Sequence, residues 1–181
     1  MPAGTCDPRY PIGPYQAEAA SNPERRAELL AGLAAAAGRL GAAVQGLSPA
    51  ELDTPYRDGG WTARQVVHHL ADAHLNWYVR TRLALTEGNP VIKPYAEALW
   101  AELPDARQAA VEPSLALLGA VHVRWVRLME ALTEADWRRT MAHPERGELT
   151  LAALLPMHVW HARHHTAQVS ALRRRLRDGI G

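Results

Sequence analysis

Trp160-His161-Ala162-Arg163-His164-His165 lies inside the last long helical segment of the chain, and its reading decides the fold. At about 100° per residue, His161 and His165 diverge by roughly 40° and stand one turn apart, so both can face one ion. An imidazole is neutral near pH 7 and is a common metal ligand. Two of them on an inward face leave a third ligand to be supplied by a neighbouring helix.

Outward from that stretch, Thr150 offers an N-cap, and Leu154, His158, His161, His165, Gln168 and Leu172 mark one face of the same helix. Pro156 removes one backbone hydrogen bond and should bend the chain a turn before His161, unless regular helix starts only there. At the far end, Arg173-Arg174-Arg175-Leu176-Arg177 complements the negative end of the helix macrodipole.

Three further long helices are legible. Asn22 and Pro23 start the first, whose Leu29, Leu33, Ala36, Leu40, Ala43 and Leu47 recur at three- and four-residue steps. Ser48 and Glu51 form a capping-box pair ahead of a short helix that Pro55 ends, and Thr62 with Gln65 repeats the pattern at the start of the second long helix. Val66, His69, Ala73, Asn76 and Trp77 share its face until Thr86–Pro90 breaks the period. A third begins near Pro113, with Leu115, Leu118, His122, Trp125, Met129 and Leu132 on one seam. Residues 88–112, with Pro90, Pro94 and Pro104, suit a crossover with one short helical piece near 95–103. Thr133 caps another short helix, and Ala142–Glu148 reads as a turn at the tip of a small hairpin. The expected fold is all-α: one domain over residues 1–181, a four-helix bundle with a long crossover connection and an irregular N-terminal arm over 1–22.

Composition narrows the partners. The chain has 181 residues, 48% hydrophobic, and a formal charge of +1, so no global field favours nucleic acid or an anionic membrane. Cys6 is the single cysteine, which rules out an intrachain disulfide and a thiolate zinc site and leaves histidine, carboxylate and water as ligands. The first residues lack an apolar core of signal-peptide length, and no later run is expected to approach a membrane span. The expectation is a soluble cytoplasmic protein acting on a small molecule, with no nucleic-acid or membrane partner.

For the third ligand, His68, His69, His74 and His122 are candidates. His68 and His69 differ by about 100°, and the apolar stripe favours His69. His158 lies within roughly 20° of His165 but two turns away, too far to share its ion. A single histidine on an apolar face is more often a hydrogen-bonded core residue than a ligand, so His122 and His158 are read that way, while His164 leans to the other side of His161. Asp72, one turn after His69, could ligate, or accept the second ring N–H of a histidine, which is the preferred role. The absence of Gly-x-Ser-x-Gly, a phosphate loop or a dinucleotide fingerprint removes nucleotide-driven chemistry. No Glu-x-x-His pair supports a di-iron carboxylate bundle.

These residues carry a resemblance. Tyr10-Pro11-Ile12-Gly13, Leu52–Thr62, Arg64–Asp72, Ser114–Leu118, His122, Trp125 and Trp160-His161-x-x-His164-His165 are similar to the DinB-like superfamily of metal-binding four-helix bundles. Within it they look like the YfiT-type group, associated with metal-dependent hydrolysis or bacillithiol S-transfer. The resemblance spans nearly the whole chain. It implies His69, His161 and His165 as the metal ligands, and a homodimer. Gln168 stands where the group often has histidine, and Pro156 is outside its pattern.

Three histidines would hold one divalent ion per chain, Zn²⁺ first and Ni²⁺ next, with an open coordination position. The resemblance implies transfer of a bacillithiol-type thiol, which a metal deprotonates. The alternative is a hydrolase using metal-activated water, with Asp72, Asp58 and Tyr56 as catalytic acid–base candidates. A third reading, from a different class, is a non-catalytic metal-binding protein. The loop Tyr56–Trp61 and the arm should edge the pocket; Arg57 is read as pairing with Asp58 or Asp53, or else as binding substrate. Trp100 is a candidate for an interface.

Overall fold

The structure, a computed structural model, describes residues 7–20 and 22–179; Cys6 lies outside the described residues. Asn22 accepts a hydrogen bond from the Arg25 N–H and opens α1 (Pro23–Ala34), and α2 (Ala36–Val44) follows after one residue. The expected single helix is thus interrupted at Ala35, which keeps right-handed helical angles, φ −81° and ψ −7°. Both reciprocal capping boxes form: Ser48–Glu51 at α3 (Pro49–Leu52) and Thr62–Gln65 at α4 (Ala63–Thr86). The crossover holds two short helices where one was expected, α5 (Glu97–Trp100) and α6 (Pro104–Gln108), the second opened by Pro104, which fits the first turn of a helix but not its interior. Then come α7 (Glu112–Glu130), α8 (Glu134–Trp137), the hairpin β1 (Thr140–His143) and β2 (Gly147–Thr150), and α9 (Leu151–Arg177). Thr140 pairs with Thr150 and His143 with Gly147, whose φ of +75° closes the turn.

The α1–α2 pair, α4, α7 and α9 form the four-helix bundle. Leu33, Leu40, Leu70, Leu118, Trp125, Leu154 and Leu172 are fully buried between them. Truncating any of these leucines to alanine should cost about 2–5 kcal/mol. By length and mean hydropathy, 1.4, the 22 residues Pro23–Val44 would suffice to cross a membrane, contrary to the expectation from sequence. Their apolar face packs on α7 and α9 instead, as core leucines do.

Pro156 lies inside α9 without ending it. The Ala152 carbonyl, four residues before it, cannot bond to a proline nitrogen and instead accepts the Ala20 N–H at 2.8 Å. A helix defect is thereby converted into an anchor for the arm. Buried Arg26 adds a second anchor, donating from Nε to the Ala20 carbonyl at 2.8 Å and pairing with Glu134.

Candidate metal centre

Helices α4 and α9 bring three imidazoles to one point. His69 Nε2 lies 3.3 Å from His161 Nε2, and His165 Nε2 lies 3.1 Å from the same atom. The three Nε2-side ligand atoms fall within 4.8 Å of one another. Two neutral imidazole nitrogens facing each other can share only one proton, and three cannot all be satisfied this way. Their shared unmet need is for a cation, so the donor set fits a divalent ion. Burial pushes His69 down to about 4 and holds His161 and His165 well below the ordinary histidine range, so all three are neutral near pH 7.

The neighbours set the ring orientations. Gln168 Oε1 is 2.8 Å from His165 Nδ1, and the Gln168 amide nitrogen reaches His164 Nε2 at 2.9 Å and the Arg9 carbonyl at 3.2 Å. His161 Nδ1 is 3.3 Å from His74 Nε2, and His74 Nδ1 is 2.7 Å from His122 Nε2. His68 turns away, its Nδ1 2.7 Å from the Ser114 hydroxyl. The expected Asp72 contact does not form: among the described residues its carboxylate bonds to no histidine, and His74 and Gln168 occupy that role. Asp72 sits half-buried on the flank of α4, its carboxyl pushed up to about 6 by burial and by Asp105.

His158 departs from its expected place as well. His122 is hydrogen-bonded to His74, but both ring nitrogens of the buried His158 lack a partner, between Trp77 at 4.7 Å and Trp125 at 5.3 Å. With His74 and His161 it forms a second trio whose ligand atoms lie within 4.8 Å. Heptad reasoning along α9 could not find this trio, because its third member comes from α4.

Two cavities flank the centre. One of about 530 Å³ is walled by Tyr15, Trp77, Tyr95 and Trp160 and reaches His158 and His161. The other, of about 340 Å³, is lined by Tyr56, Arg57, Trp61 and His165, with Arg9 and Tyr10 of the arm. Arm and loop therefore edge the pocket as expected. Gly59 adopts φ +63°, and a Cβ on Gly60 would lie 2.8 Å from Arg57 Cγ, so this tight turn needs both glycines. It seats the Trp61 ring 4.6 Å from His69. Asp58 is exposed at the tip, and its carbonyl accepts from Arg57 at 2.8 Å. Arg57 makes no ion pair among the described residues; Asp53 pairs with Arg64 at 2.6 Å, and Arg57 instead donates to the Tyr56 hydroxyl at 3.2 Å and lies over its ring. Trp100, 39% exposed, packs against Tyr95 with ring centroids 4.4 Å apart and planes tilted by 45°.

Comparison with known proteins places this arrangement. A protein of Geobacillus thermodenitrificans named "Putative metal-dependent hydrolase" is 49% identical over 174 residues, covering 94% of this chain and 97% of its own. A Bacillus mycoides protein with the same description is 47% identical over 170 residues, covering 94% and 98%. YfiT of Bacillus subtilis, described as a probable metal-dependent hydrolase with an unusual four-helix bundle topology, superposes with a TM-score of 0.91 at 44% identity, covering 93% and 97%. TT2238, a four-helix bundle protein, aligns with a TM-score of 0.55 at 25% identity over 78% of this chain and 94% of its own. The DinB superfamily model matches residues 32–169, and the chain belongs to that superfamily.

Proposed function

We propose that this chain is a metal-dependent hydrolase of a small molecule in which His69, His161 and His165 hold one divalent ion, zinc first and nickel next by donor type. The observation that carries this reading is the convergence of three neutral, buried imidazoles on one point beside a cavity of about 530 Å³. Bound there, such an ion acidifies what it coordinates, bringing water to a pKa of about 7 or deprotonating a thiol. The protein's own part is orientation. For His161 to offer Nε2, its Nδ1 carries the proton and donates to His74 Nε2, and His74 Nδ1–H donates to His122 Nε2. His165 Nδ1–H donates likewise to Gln168, and Trp61 covers the His69 side against water. A cytoplasmic location and a homodimer complete the proposal.

The second reading is transfer of a bacillithiol-type thiol. It draws on one observation: among the described residues no carboxylate is hydrogen-bonded to the trio, so a hydrolytic general base is not built in beside the ligands. Metal analysis of the purified protein, and of a His69→Ala/His161→Ala double variant, tests the ligand set. Loading should fall from one ion per chain to near none, and retention of the ion would refute the assignment. Ester turnover with and without added bacillithiol then separates the two reactions: turnover that depends on the thiol would replace the hydrolase reading.

A further inference from the structure

Among the described residues three arginines are buried, Arg26, Arg64 and Arg80, at 8%, 7% and 6% exposure. Arg26 pairs with Glu134 and Arg64 with Asp53. Arg80, the most deeply placed, has no carboxylate within 4.0 Å among the described residues. Its Nη2 donates to the Lys93 carbonyl at 2.7 Å, and its guanidinium lies 4.5 Å over the Trp77 ring. That clamps one edge and one face. Arg80 also lines the larger of the two cavities, which reaches His161. A guanidinium withdrawn from water without a counter-charge is costly, and its planar fork matches a carboxylate. Glu97 and Glu145, both exposed, also line this cavity; neither is within 4.0 Å of a guanidinium, and Glu97 acts on Arg80 and Arg146 only at longer range. Arg146 lines the same cavity, its Nη1 3.2 Å from the Met157 sulfur. Among the described residues Arg80 therefore has no directly bonded carboxylate, and the cavity leaves room for one to arrive from outside.

We propose that Arg80 anchors a carboxylate of the substrate, so that the substrate class is a small carboxylate-bearing molecule lying between the Trp77, Tyr95 and Trp160 walls with its reacting group toward His161. The position of the reacting group rests on the hydrolase reading; the anion subsite does not. The test uses the full chain as purified and again after chelator treatment, with succinate, its neutral diamide and inorganic phosphate as probes. Succinate should quench tryptophan fluorescence saturably and shift the Arg80 Nε–Hε resonance in both preparations, and the diamide should do neither. Arg80→Lys should weaken succinate at least tenfold, while Arg57→Gln in the other cavity should leave it unchanged. Should the lysine variant fail to fold, the wild-type Arg80 resonance decides. Succinate binding that needs the metal and ignores Arg80 would overturn the proposal, since the carboxylate would then be a metal ligand. An absent Arg80 shift, or phosphate binding more than tenfold tighter than succinate, would also overturn it. Loss of the metal site alone would sink the hydrolase reading and leave the chelated measurement intact.

Discussion

His161 Nδ1 lies 3.3 Å from His74 Nε2, while the opposite nitrogen of the same ring faces His69. One ring is therefore held between two histidines of a single helix, α4. His74 is fully buried and in turn contacts His122 at 2.7 Å. Replacing His74 with leucine removes the acceptor that orients His161, and partners of this kind are worth roughly 10–100-fold in metal affinity. Chelator competition should show a loss of that size in His74→Leu and a complete loss in His161→Ala.

The buried histidines also set the acid limit of the metal-free fold. His69 and His122 are pushed by burial from 6.5 to about 4, so the unfolded chain binds their protons before the folded chain does. Their folded pKa values are depressed, so stability is full above pH 6.5 and falls as pH drops through the window from 6.5 to 4. Urea midpoints of the chelated protein should decrease steadily from pH 7 to pH 5. A midpoint constant across that range would show that these rings are solvated.

Asp72 has the opposite sign. Its carboxyl is raised from 3.8 to about 6, chiefly by burial, so the folded state favours the protonated form and the ionised form is penalised as pH rises through 6. Because the group is only half-buried, solvent screening reduces the effect to roughly 1 kcal/mol. Asp72→Asn should stabilise the protein by about that much at pH 8 and hardly at all at pH 4, by denaturant titration. A general-base role would add a rate loss of about 10²–10⁴ in the same variant.

Pro156 predicts a trade between helix and arm. In Pro156→Ala the Ala152 carbonyl gains an N–H four residues on, which competes with the Ala20 N–H now 2.8 Å away. Interior proline costs about 3 kcal/mol in a free helix, but the substitution should gain less than 1 kcal/mol here because the arm contact weakens. Hydrogen exchange at Ala20 should quicken in the variant, and unchanged protection would show that the arm is held by Arg26 alone.

Much of this protein was legible residue by residue. Thr62 with Gln65 and Ser48 with Glu51 mark helix starts because the bonds they make reach three residues along the chain. The His161–His165 spacing and the His69 stripe place those side chains on inward faces for the same reason, since helical period is a local property. Short-range rules also misplace a few things: they merged α1 with α2 and missed α6, where the interruption is one residue or the helix one turn.

By itself, then, the sequence determined the bundle, its caps and which faces turn inward, all of which depend on residues within a turn of one another. Only the tertiary structure decided that His74 backs His161, that Gln168 rather than Asp72 holds a histidine, and that Ala20 fills the bond Pro156 leaves open. It alone separates Arg80, which among the described residues has no directly bonded carboxylate, from Arg26 and Arg64, which have one. A partner for a buried polar group comes from another helix, and the register between helices is set by the packing of the whole core, which no local pattern contains.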